Sequence, residues 1–449
     1  MESLGISTRD SMTIWGILLS DNAAVDEDEP SALFTGCIHA EELIGTEVCH
    51  YAIQYLLENY HTDPQVTEFI DELQIYFVPI VNPEGHKVVT DSLDLTYRKN
   101  KRDNNLNGVF DYAPGSGGDM DGVDLNRNFP FNWEGGTDEF ISVNYRGPSP
   151  GSETEIQAIM ELAKRFNFLL SVFYHSSATG RYNEWVIYPW NWSGYRCPDY
   201  SLISGIAHQL AENLVSVTGG YYQAWYSVSQ NGNANDWQYS QIGTIPFIVE
   251  IDTTTQPEVE RLPQVLENQL NGLLYLLKRT LGPGLCVHLI DSITGEPIVG
   301  RVELPMIEDT VIAPRMTDPY FGVHRRLLQP GSYTVVCSAE NYFPDTSIVN
   351  ISDAGFTDIE KALAARSPYV GEKEEPDSSR CLFYCAHKKL HYQVDSRSTL
   401  KLYNISGRRV FGREIDNPMG AIDLRELPYG MYIGSYGDRD FRIIIVPTP

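Results

Sequence analysis

Four apolar runs, each stopped by polar residues, limit the fold more than any other feature of this sequence. They are "SALFTGCI" (31–38), "LQIYFVPIV" (73–81), "LLSVFYH" (169–175) and "IPFIVEI" (245–251). Each is too short for a packed helix and too continuous for a strand with one wet face. Such runs suit strands covered on both faces, as in a sheet with helices on either side. Between them "TEVCHYAIQYLLENY" (46–60) and "SETEIQAIMELAKRF" (152–166) carry apolar residues at helical spacing. "MTIWGILLS" (12–20) reads as a further strand. Residues 1–280 are therefore expected to form an α/β domain, a mixed twisted sheet flanked by helices.

The pattern changes after residue 280. From "GLCVHLIDSITGEPIVGRVEL" (284–304) onward, short alternating strands are broken by the turn-like "DSITGE" and "LQPGSY". This predicts a small β-sandwich over 281–361. Residues 362–395 contain the polar "GEKEEPDSSR" and read as a linker. Residues 396–449, with "LKLYNISGRRV" and "RDFRIIIVP", read as a C-terminal all-β module. A chain of 449 residues is too long for one core, so several domains are expected. A net charge of −27 disfavours nucleic acid and anionic membrane as partners. No apolar run reaches the length of a transmembrane segment. The seven cysteines contain no CxxC pair and form neither a zinc ribbon nor a recognisable disulfide framework.

The chemistry is concentrated in a few short stretches. "FTGCIHAEELIGTEV" (34–48) sets His39 three residues before Glu42. Alone this is either two metal ligands or the acidic front of a helix, where the dipole favours carboxylates. A catalytic zinc takes three protein ligands and keeps one position open. His175, the first polar residue after "LLSVFY", offers a third; its alternative is a satisfied histidine at the edge of a core. Glu250 ends the apolar "IPFIVE", and burying a carboxylate is costly unless it has a task. Arg98 in "YRKNKR", with Asn126 and Arg127 in "GVDLNRNF", supplies donors for an oxyanion and a carboxylate. The alternative for Arg98 is a solvated basic loop. "DNNLNGVFD" spaces Asp103, Asn105, Asn107 and Asp111 around Gly108, and Asp119, Asp121 and Asp124 follow. Alternating oxygens before a tight-turn glycine follow the logic of a calcium loop, although no glutamate completes it. The alternative is a turn-rich loop whose Asp and Asn bond their own backbone.

In order along the chain, "GCIHAEELIG", "VPIVNPEGH", "YRKNKR", "GVDLNRNFPFNW", "YRGPSPGSETE", "FYHSSA", "YPW", "AWYSVSQNGNANDWQY" and "FIVEID" resemble the zinc metallocarboxypeptidases, relatives of carboxypeptidases A, B, D and E. The resemblance covers residues 1 to about 280. It implies that His39, Glu42 and His175 bind zinc. It implies that Glu250 is the general base for the attacking water and passes its proton to the leaving amine. It implies Arg98 for the oxyanion, and Asn126 and Arg127 for the terminal carboxylate of a peptide or protein, hence an exopeptidase. Tyr226 matches a tyrosine that closes over bound substrate, and Asn191 and Asn235 match positions that set selectivity. Both asparagines are neutral, which implies neutral or broad specificity. Three features depart from the family: Glu41 stands where digestive members carry arginine, Tyr97 replaces a common tryptophan, and the family's start is longer.

The stretch after residue 280 resembles the transthyretin-like domain of carboxypeptidases D, E, M and N. The tail resembles the sorting domain of bacterial type IX secretion. That resemblance implies a partner in the secretion machinery and a secreted or cell-surface location. A signal peptide would then be needed, and none is visible in this chain. Two other readings compete: hydrolysis of peptidoglycan stem peptides, and a non-catalytic surface binding protein on a peptidase fold. Retention of all three ligands and the base argues against the second.

Overall fold

The computed structural model describes residues 1–115, 119–176, 183–227 and 231–366, and residues 382–445 except 387, 388, 395, 396, 405–407, 418, 429 and 438. The chain separates into two compact units, Met1–Arg366 and Ser367–Pro449.

The first unit opens with strands β1 (Glu2–Ile6), β2 (Thr13–Leu19), β3 (Ser31–Thr35) and β4 (Gln74–Val78). It continues with β5 (Leu170–His175), β6 (Trp185–Tyr188), β7 (Gln223–Tyr226) and β8 (Ile245–Glu250). They form one eight-stranded sheet in the order β1-β2-β4-β3-β5-β8-β6-β7. The central strands β4, β3, β5 and β8 run parallel, and antiparallel pairs lie toward both edges. Every residue of β3, β4, β5 and β8 is buried, which is why those runs are apolar without alternation.

Helices α1 (Ile44–Asn59), α2 (Pro64–Glu72), α3 (Pro83–Thr90), α4 (Thr154–Phe166), α5 (Tyr200–Glu212), α6 (Ala234–Trp237) and α7 (Leu262–Thr280) accompany the sheet. In α1 the buried Val48, Cys49, Ala52 and Leu56 share one stripe at helical spacing. In α4 Ile156, Ile159, Leu162 and Ala163 do the same. The junction between β3 and α1 is tight. A Cβ on Gly36 would stand 2.6 Å from the carbonyl carbon of Gly45 and 2.7 Å from the Pro79 oxygen. Only glycine lets the first turn of α1 lie this close to the end of β3.

Six strands follow: β9 (Gly284–Asp291), β10 (Arg301–Glu303), β11 (Val323–Leu327), β12 (Gly331–Ser338), β13 (Asp345–Ile351) and β14 (Phe356–Leu363). They make two three-stranded sheets, β10-β12-β13 and β11-β9-β14. Leu285, Val287, Val302, Val335, Val349 and Leu363 fill the core between them. The second unit holds β15 (Leu382–Ala386), β16 (Lys389–Gln393), β17 (Ser398–Asn404), β18 (Arg409–Ile415), β19 (Met419–Asp423), β20 (Gly430–Tyr436) and β21 (Arg439–Ile445), in a three-stranded and a four-stranded sheet. Two of these strands, β15 and β16, lie within the stretch expected to be a linker. The alternation in "KLHYQV" carries β16, but the charged "GEKEEPDSSR" upstream dominates a composition-based reading. That charged stretch lies outside the described residues.

Candidate metal centre and active site

Strands β3, β5 and β8 are parallel neighbours and end at one edge, with Thr35 opposite Phe173 and His175 opposite Glu250. Ligands of open α/β sheets bind at the carboxyl ends of the strands. His175 and Glu250 are the last residues of β5 and β8. After β3 the chain turns through Cys37, which has φ 48°, and places His39 and Glu42 just before α1.

The resulting cluster is compact. His39 Nδ1 lies 3.0 Å from Glu42 Oε1, and His175 Nδ1 lies 2.8 Å from Glu42 Oε2. The two Nδ1 atoms are 3.0 Å apart, and all three residues are buried. Two imidazole nitrogens facing each other and a carboxylate in a buried site need a proton or a cation between them. The donor set, two histidine nitrogens and one carboxylate, suits zinc. Burial and Arg98 oppose a charged His39, yet Glu42 and Asp124 push it up to about 9. Burial opposes the charged form of Glu42, but the two histidines hold its carboxyl well below the usual range.

The surroundings orient these ligands. His39 Nε2 is 3.1 Å from Asp124 Oδ1, which fixes Nδ1 toward the cluster. The other oxygen of Asp124 accepts from Arg98 through Nε and Nη2, each at 3.1 Å. Arg98 Nη1 lies 3.5 Å from Glu42 Oε1 and 3.8 Å from Glu41 Oε1. Asn126 is buried, with Nδ2 3.4 Å from His175 Nε2 and Oδ1 accepting the Ala234 N–H at 2.9 Å. Its amide therefore supports His175 in this arrangement. Arg127 donates to the Asn126 carbonyl at 2.7 Å and feels the charges of Asp124, Glu42 and Glu250. Glu250 Oε2 is buried and has no hydrogen-bond partner, and burial, reinforced by Glu42, pushes the carboxyl well above its ordinary range.

The remaining expected residues belong to β7, α6 and the segment after β6. Tyr226 packs among aromatic rings. As the last residue of β7 it pairs with Tyr188, its ring packs against Tyr188 and Tyr200, and its hydroxyl donates to the Tyr195 carbonyl at 3.1 Å. Part of the segment after it, 228–230, lies outside the described residues. Asn191 and Asn235 do gather, around an acid that sequence reasoning missed. Asp236 Oδ2 accepts the Asn191 N–H at 3.0 Å and Asn233 Nδ2 at 3.1 Å. Asn235 is buried beside it and donates to the Ile187 carbonyl. Asp236 is fully buried, its Oδ1 has no partner, and burial pushes its carboxyl up to about 7. Its sequence signal was its place between an asparagine and Trp237 in a short buried helix.

The loop of Asp103, Asn105, Asn107 and Asp111 closes on itself. Asp103 accepts from the N–H groups of Asn107 and Gly108, and Asp111 accepts from the amides of Asn105 and Asn107. Of the three acids that follow, Asp119 accepts the Ala113 N–H, Asp121 pairs with Arg9, and Asp124 belongs to the metal centre rather than to the loop.

Comparison with known proteins agrees with this geometry. The pattern of the family described as zinc carboxypeptidase matches residues 1–272. Mouse carboxypeptidase D is 27% identical over 391 residues, which cover 81% of this chain and 25% of that protein. The metallocarboxypeptidase A-like protein of Trichophyton verrucosum is 31% identical over 240 residues, covering 50% of this chain and 51% of that protein. The crystal structure of carboxypeptidase A from Helicoverpa armigera superposes with a TM-score of 0.53 at 19% identity, over 62% of this chain and 67% of that one, a likeness of fold. The chain thus spans about a quarter of the length of the carboxypeptidase D proteins it matches. From the matched pattern and the buried His–Glu–His cluster at the carboxyl edge of the sheet, the chain belongs to the zinc carboxypeptidase family.

Proposed function

We propose that the protein is a secreted zinc metallocarboxypeptidase that hydrolyses the C-terminal peptide bond of peptides and proteins. The observation that carries this reading is Glu250, a buried carboxylate with one oxygen unpartnered, in register with a histidine of the metal cluster. His39, Glu42 and His175 would hold the zinc, which when bound polarises a carbonyl and acidifies water. Glu250 takes the proton of the attacking water and delivers it to the nitrogen of the leaving amine. Arg127 receives the substrate's terminal carboxylate. Arg98, held by Asp124, lends positive charge to the developing oxyanion. The test is hydrolysis of blocked dipeptides by wild type and Glu250→Gln, with zinc content measured in both. Loss of the base costs about 10²-fold or more in rate while zinc stays bound. Equal rates overturn the assignment of Glu250. Zinc retained without cleavage of any free-carboxylate substrate favours a binding protein.

Selectivity for neutral or varied terminal residues rests on Asn191 and Asn235. A preference of about tenfold or more for Lys or Arg would overturn it and direct attention to Asp236. Calcium at 103–111 is a separate proposal, supported by four oxygen-bearing side chains on one loop. Calorimetry on metal-stripped protein with added Ca²⁺ tests it, and absence of both heat and a melting shift ends it. A transthyretin-like role for 281–361 and a sorting role for 396–449 are supported by the sequence resemblances and by the all-β character of both segments. Export of the full chain, compared with a chain lacking 396–449, tests the sorting role.

A further inference from the structure

Far along the chain from the site just described, a second set of metal-type donors lies on the β-sandwich. We propose that Cys286, His288 and Asp358 bind a second divalent cation of the zinc class, with the cysteine as thiolate ligand. Cys286 and His288 stand two residues apart on β9, so their side chains leave the same face of the strand. Asp358, on the neighbouring β14, is the register partner of Cys286. The other face of β9 carries Leu285, Val287 and Leu289 into the sandwich core. Apolar residues of β9 thus line the core, and its other face carries a thiol and an imidazole with the Asp358 carboxylate beside them.

The spacing of the donors suits a metal. Cys286 Sγ lies 3.5 Å from His288 Nε2. A tetrahedral zinc with S at about 2.3 Å and N at about 2.0–2.1 Å holds those two donors about 3.5–3.6 Å apart. The donor atoms of all three residues lie within 4.8 Å of one another. The other ring nitrogen of His288, Nδ1, lies 3.9 Å from Asp28 Oδ2, on the side where a carboxylate orients a metal-bound histidine. Arg325, the register partner of Cys286 on β11, is held by Asp28 in an ion pair at 2.6 Å. A thiolate and a carboxylate together balance a divalent charge, and a water completes the fourth position. Cys286 is fully buried, and burial pushes its thiol up to about 12. That argues against a free nucleophile, whereas a metal ion displaces the thiol proton on binding.

The experiment uses the full chain, stripped of metal and reloaded with Co²⁺ or Zn²⁺. The ligands His39, Glu42 and His175 include no sulfur, so a thiolate-to-cobalt charge-transfer band in the near ultraviolet reports the second site alone. Wild type is expected to show that band and to bind two zinc ions per chain. Cys286→Ser and Asp358→Ala are expected to lose the band and one zinc, while dipeptide hydrolysis stays at the wild-type rate. One zinc per chain in wild type with no band overturns the proposal and leaves a cysteine–histidine hydrogen bond. A band that survives in both variants also overturns it, because another cysteine then supplies the sulfur. Failure of peptidase activity with the band intact would count against the proposed function and not against this site.

Discussion

Asp124→Asn probes how the metal centre is held. Asp124 is buried and serves two clients: one oxygen faces His39 Nε2 at 3.1 Å, and the other accepts two Arg98 nitrogens at 3.1 Å each. An asparagine has one acceptor oxygen and one donor nitrogen. If the oxygen faces His39, the NH₂ meets the guanidinium donor to donor. If it faces Arg98, the NH₂ meets His39 and disfavours the tautomer that directs Nδ1 to the metal. Either way one contact is lost. Breaking a buried ion pair costs about 3–5 kcal/mol. Arg98 keeps Glu42 and Glu41 nearby, so about 3 kcal/mol is expected for the metal-free protein. Loss of an outer-shell carboxylate weakens metal binding about 10–100-fold. Urea unfolding of metal-free protein reads the first number, and chelator competition for zinc reads the second. Asp119→Asn, in the same acidic stretch but bonded to the Ala113 N–H, should leave zinc affinity unchanged. Zinc affinity in Asp124→Asn within about twofold of wild type would refute the argument that Asp124 sets the His39 ring.

Other perturbations have equally definite outcomes. Gly36→Ala drives a methyl into the Gly45 and Pro79 backbone, so stability should fall by about 1–3 kcal/mol or more in urea melts, and zinc affinity should fall with it. Arg127→Gln removes a charged partner worth about 1.5–3 kcal/mol, so kcat/KM on free-carboxylate peptides should drop roughly 10–150-fold with zinc content unchanged. Asp236 titrates at about 7 when folded against 3.8 as its ordinary value. The folded state then binds the extra proton between those values, and wild-type stability falls as pH rises from about 4 to 7 before levelling. Asp236→Asn removes that slope, so melting curves should favour the variant at pH 8, by at most about 4 kcal/mol, and converge at pH 4.

Much of this was legible in the sequence because strand-end residues announce themselves. His175 and Glu250 are the first polar residues after runs that must be buried, and the parallel sheet sends such positions to one edge. The β3–α1 turn that carries His39 and Glu42 follows from the same run of apolar residues. Asp124 was misplaced because its partners are 85 and 26 residues away, and its neighbours Asp119 and Asp121 made it look like loop chemistry. The motif around Tyr226 says nothing of its neighbours, because its register against Tyr188 comes from the pairing of β7 with β6. Cys286, His288 and Asp358 were invisible for a related reason. Two sit on one strand, and the third reaches them only through a parallel register that no local pattern encodes.

The metal centre joins parts of the chain that are remote from each other. His39 and His175 are 136 residues apart, and the first lies between β3 and α1 while the second ends β5. An ion shared by them acts as a rivet through the open edge of the sheet. A covalent cross-link spanning a loop of that size would be worth about 4–5 kcal/mol in unfolded-chain entropy, and a tightly held ion that does not bind the unfolded chain works in the same direction. In the proposed hydrolase the same ion would also stabilise the folded chain, so a chelator is expected to lower the melting temperature as well as silence the enzyme.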